Sequence, residues 1–253
     1  MSGTRTDGDA PGRGASGHDA SGREDRPTRR GLLFGAGAAG ILAAAAGLLV
    51  PYLASTSPVK VENFKSAGDG RKKRILVLTG SAREGGNTEL LARAFAEGAR
   101  EAGHKADIFA AADADISACR NCGSCWQTGG PCVMEDGFEV LRPLLEAADM
   151  LVFASPLYWY NFSGHIKCVM DRLYPYTRKN RPVSLAAREA MLLMCGESRL
   201  LRSFAGPAEA YRQMLGYLGW KDRGRLFVTG VNDFGAMRGK KALATAREMG
   251  RTA

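Results

Sequence analysis

Histidine is scarce in this chain, three among 253 residues, and only His165 lies near the segments that carry motifs. No Ser-His-Asp set and no paired carboxylates emerge, so acid–base chemistry of the hydrolase kind has no evident carrier. No Gly-Lys-Ser/Thr follows the glycine-rich loop of the body, which excludes a Walker phosphate loop. There is no internal repeat and no nucleic-acid motif. The formal charge of +9 and pI near 9.4 therefore do not by themselves argue for DNA or RNA. With 45% hydrophobic and 24% charged residues, the chain has ordinary globular composition and enough length for one good-sized core. Cysteine is also sparse, six in all, yet four fall within fourteen residues: Cys119, Cys122, Cys125 and Cys132, spaced C-x2-C-x2-C-x6-C.

Residues 1–30 are rich in Gly, Ser, Asp and Arg without apolar periodicity, the composition of a disordered leader. Gly31–Ala54 then carries no charge over twenty-four residues, five of them Gly and eight Ala. Arg29-Arg30 immediately ahead of this soft apolar run resembles a twin-arginine export signal, with Leu32 in place of the usual Phe and no following Lys. No small-residue cleavage site stands out, because Tyr52 is large for a partner of Ala54. Gly31–Val50 is just long enough to span a bilayer as an anchor. The expected location is periplasmic, or on the outer face of the inner membrane. Gly35-Ala36-Gly37-Ala38-Ala39-Gly40 fits a dinucleotide fingerprint, with Glu62 downstream as a ribose acid, but only Leu32-Leu33-Phe34 could be its strand and Pro51 interrupts its helix. That reading is rejected. Residues 55–73 read as a linker. The basic run Arg71 to Arg74 could touch anionic lipid, and the simpler reading is a solvated segment.

From Arg74 to the C-terminus, short apolar runs alternate with amphipathic stretches. Strands are expected at Ile75–Leu78, Ala106–Ala110, Met150–Ala154, Ala190–Met194 and Leu226–Thr229. Helices are expected at Thr88–Ala102, Phe138–Ala148 (with Asp136 as cap), Gly164–Leu173, Pro207–Leu218 and Lys240–Met249. Five buried strands alternating with five helices make a doubly wound five-stranded parallel α/β sheet. Ligands in such sheets bind beyond the carboxyl ends of the strands.

The loop Thr79–Thr88 offers glycine backbone N–H groups, hydroxyls at Ser81 and Thr88, the Asn87 amide and the Arg83 cation, all ahead of a helix N-terminus. That is a phosphate site, and a capped glycine turn is compatible with it. The loop Ser155–Phe162 puts four aromatics in five positions. Exposed rings at that density suit a flat aromatic cofactor by stacking, or a subunit interface. Lys167 and Asp171, at i and i+4, read as a modest ion pair, and Cys168 as a buried helix residue.

The order and context of four blocks resemble the flavodoxin-like NAD(P)H-dependent FMN reductase family, in its iron–sulfur flavoprotein branch: Gly80-Ser81-Ala82-Arg83-Glu84-Gly85-Gly86-Asn87-Thr88, the four-cysteine loop, Ser155-Pro156-Leu157-Tyr158-Trp159, and Lys167-Cys168-Val169-Met170-Asp171-Arg172. The resemblance covers roughly residues 74–250. It implies strand order 2-1-3-4-5, bound FMN and a homodimer or homotetramer. By position, Ser81, Arg83, Asn87 and Thr88 hold the FMN phosphate. Pro156, Leu157, Tyr158, Trp159 and Asn161 line the flavin, and Cys195 and Gly196 approach its ring edge. The family's acidic pair after the cysteine loop corresponds to Glu135-Asp136.

Three cysteines in seven residues can ligate three irons of one [4Fe–4S] cubane, and Gly129-Gly130-Pro131 lets the chain turn so that Cys132 closes the fourth corner. Structural zinc fits the compact triplet less well. Disulfides are compatible with an oxidising compartment, and cluster-free relatives also carry cysteines in this loop. The expected function is an exported FMN-dependent oxidoreductase that moves electrons between a donor and a quinone, small molecule or redox protein. Nicotinamide is not expected as its physiological donor outside the inner membrane. Alternatives are a non-catalytic FMN electron carrier or redox sensor, and a cluster-free FMN-dependent NAD(P)H or quinone reductase. No residue is assigned a catalytic role, which agrees with a flavin carrying the chemistry.

Overall fold

A computed structural model of the chain describes residues 59–65, 70–177 and 184–253. The leader, the twin arginine, the uncharged run 31–54 and its glycine fingerprint lie outside the described residues. Among the described residues, no helix is long and apolar enough to cross a membrane.

The strands are β1 (Val59–Glu62), β2 (Arg74–Thr79), β3 (Lys105–Ala110), β4 (Met150–Pro156), β5 (Glu189–Cys195) and β6 (Lys221–Val228). The helices are α1 (Asn87–Glu101), α2 (Ser124–Thr128), α3 (Phe138–Ala147), α4 (Gly164–Asp171), α5 (Ala205–Leu218) and α6 (Lys241–Arg251). One sheet runs β1-β6-β5-β4-β2-β3, and every pairing is parallel except β1 with β6. Leaving out β1, this is the expected 2-1-3-4-5 order. β4 and β5 are buried along their whole length, because helices cover both faces.

The sheet has six strands, not five. The added strand comes from the segment read as a linker. β1 pairs antiparallel with β6, from Val59 opposite Val228 to Glu62 opposite Arg225. Glu62 pairs with Arg225 at 3.4 Å and Lys60 at 2.6 Å, an edge-strand role. Of the basic run, Arg71, Lys72 and Arg74 are exposed, as the solvated reading has it, but Lys73 is built into the fold: it is 4% exposed with its Nζ 2.6 Å from Glu189, and the Arg74 N–H donates to Asp149 at 2.8 Å.

Two apolar layers flank the sheet. One packs α3, α4 and α5 around Phe138, Phe153, Ile166, Phe204 and Tyr211. The other packs α1 and α6 around Phe95, Met191, Leu226 and Met249. α1 and α6 approach closely because glycines face the partner backbone: a Cβ on Gly98 would stand 1.9 Å from the Arg247 carbonyl, and one on Gly250 2.0 Å from that of Phe95.

α4 starts at Ser163, whose hydroxyl accepts the Ile166 N–H at 3.4 Å. Losing such a cap costs about 1 kcal/mol. Ser163→Ala is therefore expected to lower the urea midpoint by that equivalent, and an unchanged midpoint would remove the cap from this account.

Candidate functional site

Four loops leave the carboxyl ends of β2, β3, β4 and β5; contacts draw those after β2, β4 and β5 together, while the loop after β3 packs on the far end of α4 around Arg172 and Tyr174. The first begins at Thr79, whose hydroxyl is buried and has no hydrogen-bond partner among the described residues. Gly80 follows, with its N–H on the Ala154 carbonyl at 2.9 Å. A Cβ here would lie 2.2 Å from Ser163 Oγ and 2.4 Å from Ile166 Cγ1. Only glycine lets the loop after β2 rest on the start of α4. Ser81 Oγ then accepts the Arg83 N–H at 3.2 Å, and Arg83 itself is exposed. The N-cap of α1 is Gly86, which supplies no side-chain cap. The first N–H groups of the helix, which no intrahelical carbonyl can reach, are thus left to other acceptors.

Two of the four proposed phosphate side chains are committed elsewhere. Asn87 Nδ2 donates to the Asp233 carbonyl at 2.9 Å, and its Oδ1 accepts the Met237 N–H at 2.9 Å. Its amide therefore pins the loop after β6 to the start of α1. Thr88 is buried, with Oγ1 3.4 Å from Cys195 Sγ. Burial pushes the Cys195 thiol up to about 11, partly offset by the Thr88 hydroxyl, so it is a neutral thiol at physiological pH. Ser81, Arg83 and the helix N-terminus remain for an anion. The loop after β6 was not among the sequence candidates, and Asn87 alone gave no sign of a partner 146 residues away.

The loop after β4 is anchored at its base and strained at its tip. Ser155 Oγ donates to the Pro156 carbonyl at 2.9 Å and accepts the Ser163 N–H at 3.0 Å. The Leu157 N–H donates to the Cys195 carbonyl at 2.8 Å, and a Cβ on Gly196 would meet Leu157 Cβ at 2.8 Å. Pro156, Leu157, Cys195 and Gly196 are thereby brought together. Tyr158 and Asn161 exchange backbone hydrogen bonds of 3.0 and 2.9 Å, closing a two-residue turn. Both tip residues, Trp159 (φ 47°) and Tyr160 (φ 59°), are left-handed, a conformation that disfavours aromatic side chains. Trp159 is 94% exposed.

The loop after β3 holds the four cysteines. Together with Arg172, Tyr174 and Pro175 they line one pocket. Cys119 and Cys122 are exposed and Cys125 is buried in α2, whose Trp126 stacks on Tyr174 at 4.9 Å. The Ser124 hydroxyl and N–H hold the Cys122 thiol below its ordinary range. Arg172, 1% exposed, closes the pocket's base. Its guanidinium donates to the Ser117 carbonyl at 3.1 Å, the Met134 carbonyl at 3.4 Å and Asp136 at 2.8 and 3.2 Å, and lies 4.7 Å from the Phe138 ring centroid. Burial works against the ionised Asp136, but the Arg172 guanidinium and the N–H groups of Phe138 and Ser117 outweigh it, holding the carboxyl below the usual range. The N-cap position of α3 is Gly137, one residue beyond the expected Asp136, whose carboxylate nonetheless accepts the Phe138 N–H at 2.9 Å and pairs with Arg172. Lys167 and Asp171 form the expected exposed ion pair at 2.6 Å. Cys168 is half-buried, not buried, because one side of α4 faces outward.

The residues fit FMN: an uncapped helix N-terminus, an orphaned hydroxyl at Thr79 and glycine-enforced contacts surround the strand ends where the order reverses between β2 and β4. For a cluster the donor chemistry fits, four thiols lining one pocket. The sulfurs are not converged, however: among the described residues no group of three or more His, Cys, Asp or Glu side chains has metal-holding geometry.

Comparison with known proteins agrees with the architecture. The chain is 30% identical over 126 residues to an iron–sulfur flavoprotein of Methanosarcina thermophila, covering 50% of this chain and 64% of that one. It spans less than two thirds of the length of the iron–sulfur flavoproteins it matches. A putative NAD(P)H-dependent FMN-containing oxidoreductase of Bacillus subtilis is 23% identical over 184 residues, 70% of this chain and 96% of that one. Among solved structures, an NAD(P)H:quinone oxidoreductase from Methanothermobacter marburgensis shares the fold with a TM-score of 0.55 at 23% identity, covering 72% of this chain and 96% of that one. Residues 73–233 match the NADPH-dependent FMN reductase family, and with well over half of its length inside that match the chain belongs to this family.

Proposed function

We propose that the protein is an exported, FMN-dependent oxidoreductase that passes electrons between a donor and a quinone, another small molecule or a redox protein. The observation that carries this reading is the glycine-enforced convergence of the loops after β2, β4 and β5 through Gly80–Ser163 and Gly196–Leu157. Bound FMN supplies two-electron hydride chemistry and single-electron transfer at one ring. Ser81, Arg83 and the α1 N-terminus hold its phosphate. Pro156, Leu157 and Tyr158 form the wall against the ring, with Asn161 bracing Tyr158. Gly196 admits the close approach of Leu157. Cys195 presents a neutral thiol beneath the strand ends and adds no charge there.

The twin arginine at Arg29-Arg30 supports export of the folded protein, and export separates the site from cytoplasmic nicotinamide. A quinol, a cytochrome or a small redox protein is then the donor in the cell, and a homodimer or homotetramer the working form. Cys119, Cys122, Cys125 and Cys132 would hold a [4Fe–4S] cluster after their loop closes around it. The sulfur-rich pocket and the similarity to iron–sulfur flavoproteins support that reading.

Anaerobic purification with an absorbance spectrum and iron, sulfide and zinc analysis tests both parts. Flavin bands with about four irons per subunit are expected. Flavin without iron leaves a cluster-free flavoprotein, and absence of flavin overturns the assignment. A charged hydrogen bond is worth about 1.5–3 kcal/mol, so Arg83→Ala is expected to weaken FMN binding roughly tenfold or more by fluorescence titration. Unchanged affinity would take Arg83 out of the phosphate site.

A further inference from the structure

The loop after β6 is fixed at several points. Its first residues lie against the loop after β5: the Gly230 N–H donates to the Ser198 carbonyl at 3.1 Å, and the Val231 N–H to the Gly196 carbonyl at 3.0 Å. Val231 and Met237 are buried in the apolar layer shared with α1 and α6. Asn87 ties both shoulders of the loop's crest. It holds the Asp233 carbonyl through Nδ2 and the Met237 N–H through Oδ1, each at 2.9 Å. Phe234 stands between those two anchors.

The ring of Phe234 meets the phosphate loop. A Cβ on Gly85 would stand 3.3 Å from Phe234 Cζ and 3.9 Å from Cε2, so the ring tip takes the space that a side chain at residue 85 would fill. Gly85 has φ 66°, a left-handed turn that glycine adopts at no steric cost. Its N–H donates to the Glu89 carboxylate in the first turn of α1. Ala82, Arg83 and Glu84 just ahead of it are exposed, so their position is set from the flanks, and Phe234 and Glu89 hold one flank. A phosphate bound through backbone N–H groups and one cation gains most when those donors are already in place, because ordering them on binding costs conformational entropy. The segment matched to the family ends at residue 233, so Phe234 and Met237 lie outside it.

We propose that Phe234 is a positioning residue for the FMN phosphate. The loop after β6, tied by Asn87, sets its ring on Gly85 and keeps Ser81, Arg83 and the start of α1 in the geometry that receives a phosphate. The proposal rests on reading those groups as the FMN phosphate site. It deepens that reading by making this loop the determinant of the preference for FMN over riboflavin, which has the same ring and no phosphate. The ring wall at Pro156 and Leu157 is built on β4 and the loop after it, so loss of the Phe234 ring leaves riboflavin binding intact.

The test titrates the full chain, stripped of flavin, with FMN and with riboflavin by flavin fluorescence, for wild type, Phe234→Ala and Phe234→Tyr. Phe234 is 62% exposed, so removing its ring opens no core cavity and the variant is expected to fold. In Phe234→Ala the FMN affinity is expected to fall about tenfold, the equivalent of one charge-assisted hydrogen bond, with riboflavin affinity unchanged. Phe234→Tyr keeps the ring and is expected to keep the wild-type ratio of the two affinities. An unchanged ratio in Phe234→Ala overturns the proposal, whether both affinities hold or both fall. Where riboflavin binds too weakly to titrate, the phosphorus NMR resonance of bound FMN decides: it is expected to move in Phe234→Ala and not in Phe234→Tyr, and a resonance unmoved in both overturns the proposal. Wild type that binds riboflavin as tightly as FMN overturns the phosphate site itself, and wild type that binds neither flavin overturns the functional reading.

Discussion

Replacing Arg172 by methionine is expected to destabilise the protein by about 3–5 kcal/mol, the usual cost of removing one partner of a buried ion pair. The change strands the Asp136 carboxylate, which is only 11% exposed, and takes the donor from the carbonyls of Ser117 and Met134. It also unties the two ends of the cysteine loop, since Arg172 grips residue 117 on one side and residues 134 and 136 on the other. Urea unfolding measures the first effect, and faster thiol labelling of buried Cys125 reads the second. Adding Asp136→Asn should recover much of the loss, because the stranded charge is then gone. A single-variant loss below about 1 kcal/mol, the range of exposed pairs, would show that the pair is structurally idle. The pH dependence follows from the same contact. The folded-state pKa of Asp136 is depressed, so its contribution is present above the unfolded value of about 3.9 and is lost as pH falls through the lower folded value. In Arg172→Met that part of the acid slope should shrink.

Gly80→Ala is the second large effect expected, and it reaches the cofactor directly. The added methyl would sit 2.2 Å from Ser163 Oγ and 2.4 Å from Ile166 Cγ1, both on fully packed residues at the start of α4. Overpacking of this kind costs about 1–3 kcal/mol. The relief available is to push the loop after β2 away from α4, which separates Ser81 and Arg83 from the wall at Pro156 and Leu157. The variant should therefore unfold at lower urea and lose FMN on dialysis. Gly164→Ala is the control on the other side of the same contact: nothing lies within 4 Å of its added Cβ, and alanine favours a helix by up to about 1 kcal/mol. Equal midpoints and equal flavin retention in the two variants would refute the packing argument.

Most of the parallel core was legible from the sequence. Ile75–Leu78, Met150–Ala154 and Ala190–Met194 are short apolar runs, and strands buried on both faces need no more than that. β6 was foreseen only as Leu226–Thr229, although it begins at Lys221. Its first half carries Lys221, Asp222, Arg223 and Arg225 beside the edge strand, where partial exposure tolerates charge and erases the apolar signal. β1 was missed for a related reason: Val59–Glu62 is too short for its alternation to stand out, and its partner lies more than 160 residues further on. The short helix α2 was hidden by the cysteines and glycines around it.

The candidate site divides in the same way. The glycine-rich loop, the aromatic loop and the cysteine spacing are local patterns, so residue order alone determined that they exist and that they follow strands one, three and two. Their hydrogen-bond commitments are not local. Asn87 gives its amide to the loop at Asp233–Met237, Thr88 gives its hydroxyl to Cys195, and Arg172 reaches back to Asp136 and Ser117. A side chain has few donors and acceptors, and which group takes them is set by neighbours brought close only when the sheet closes. The sequence by itself thus determined the five parallel strands, the family and the kind of chemistry. The tertiary structure decided which polar groups remain free for a ligand, and it added the antiparallel edge strand.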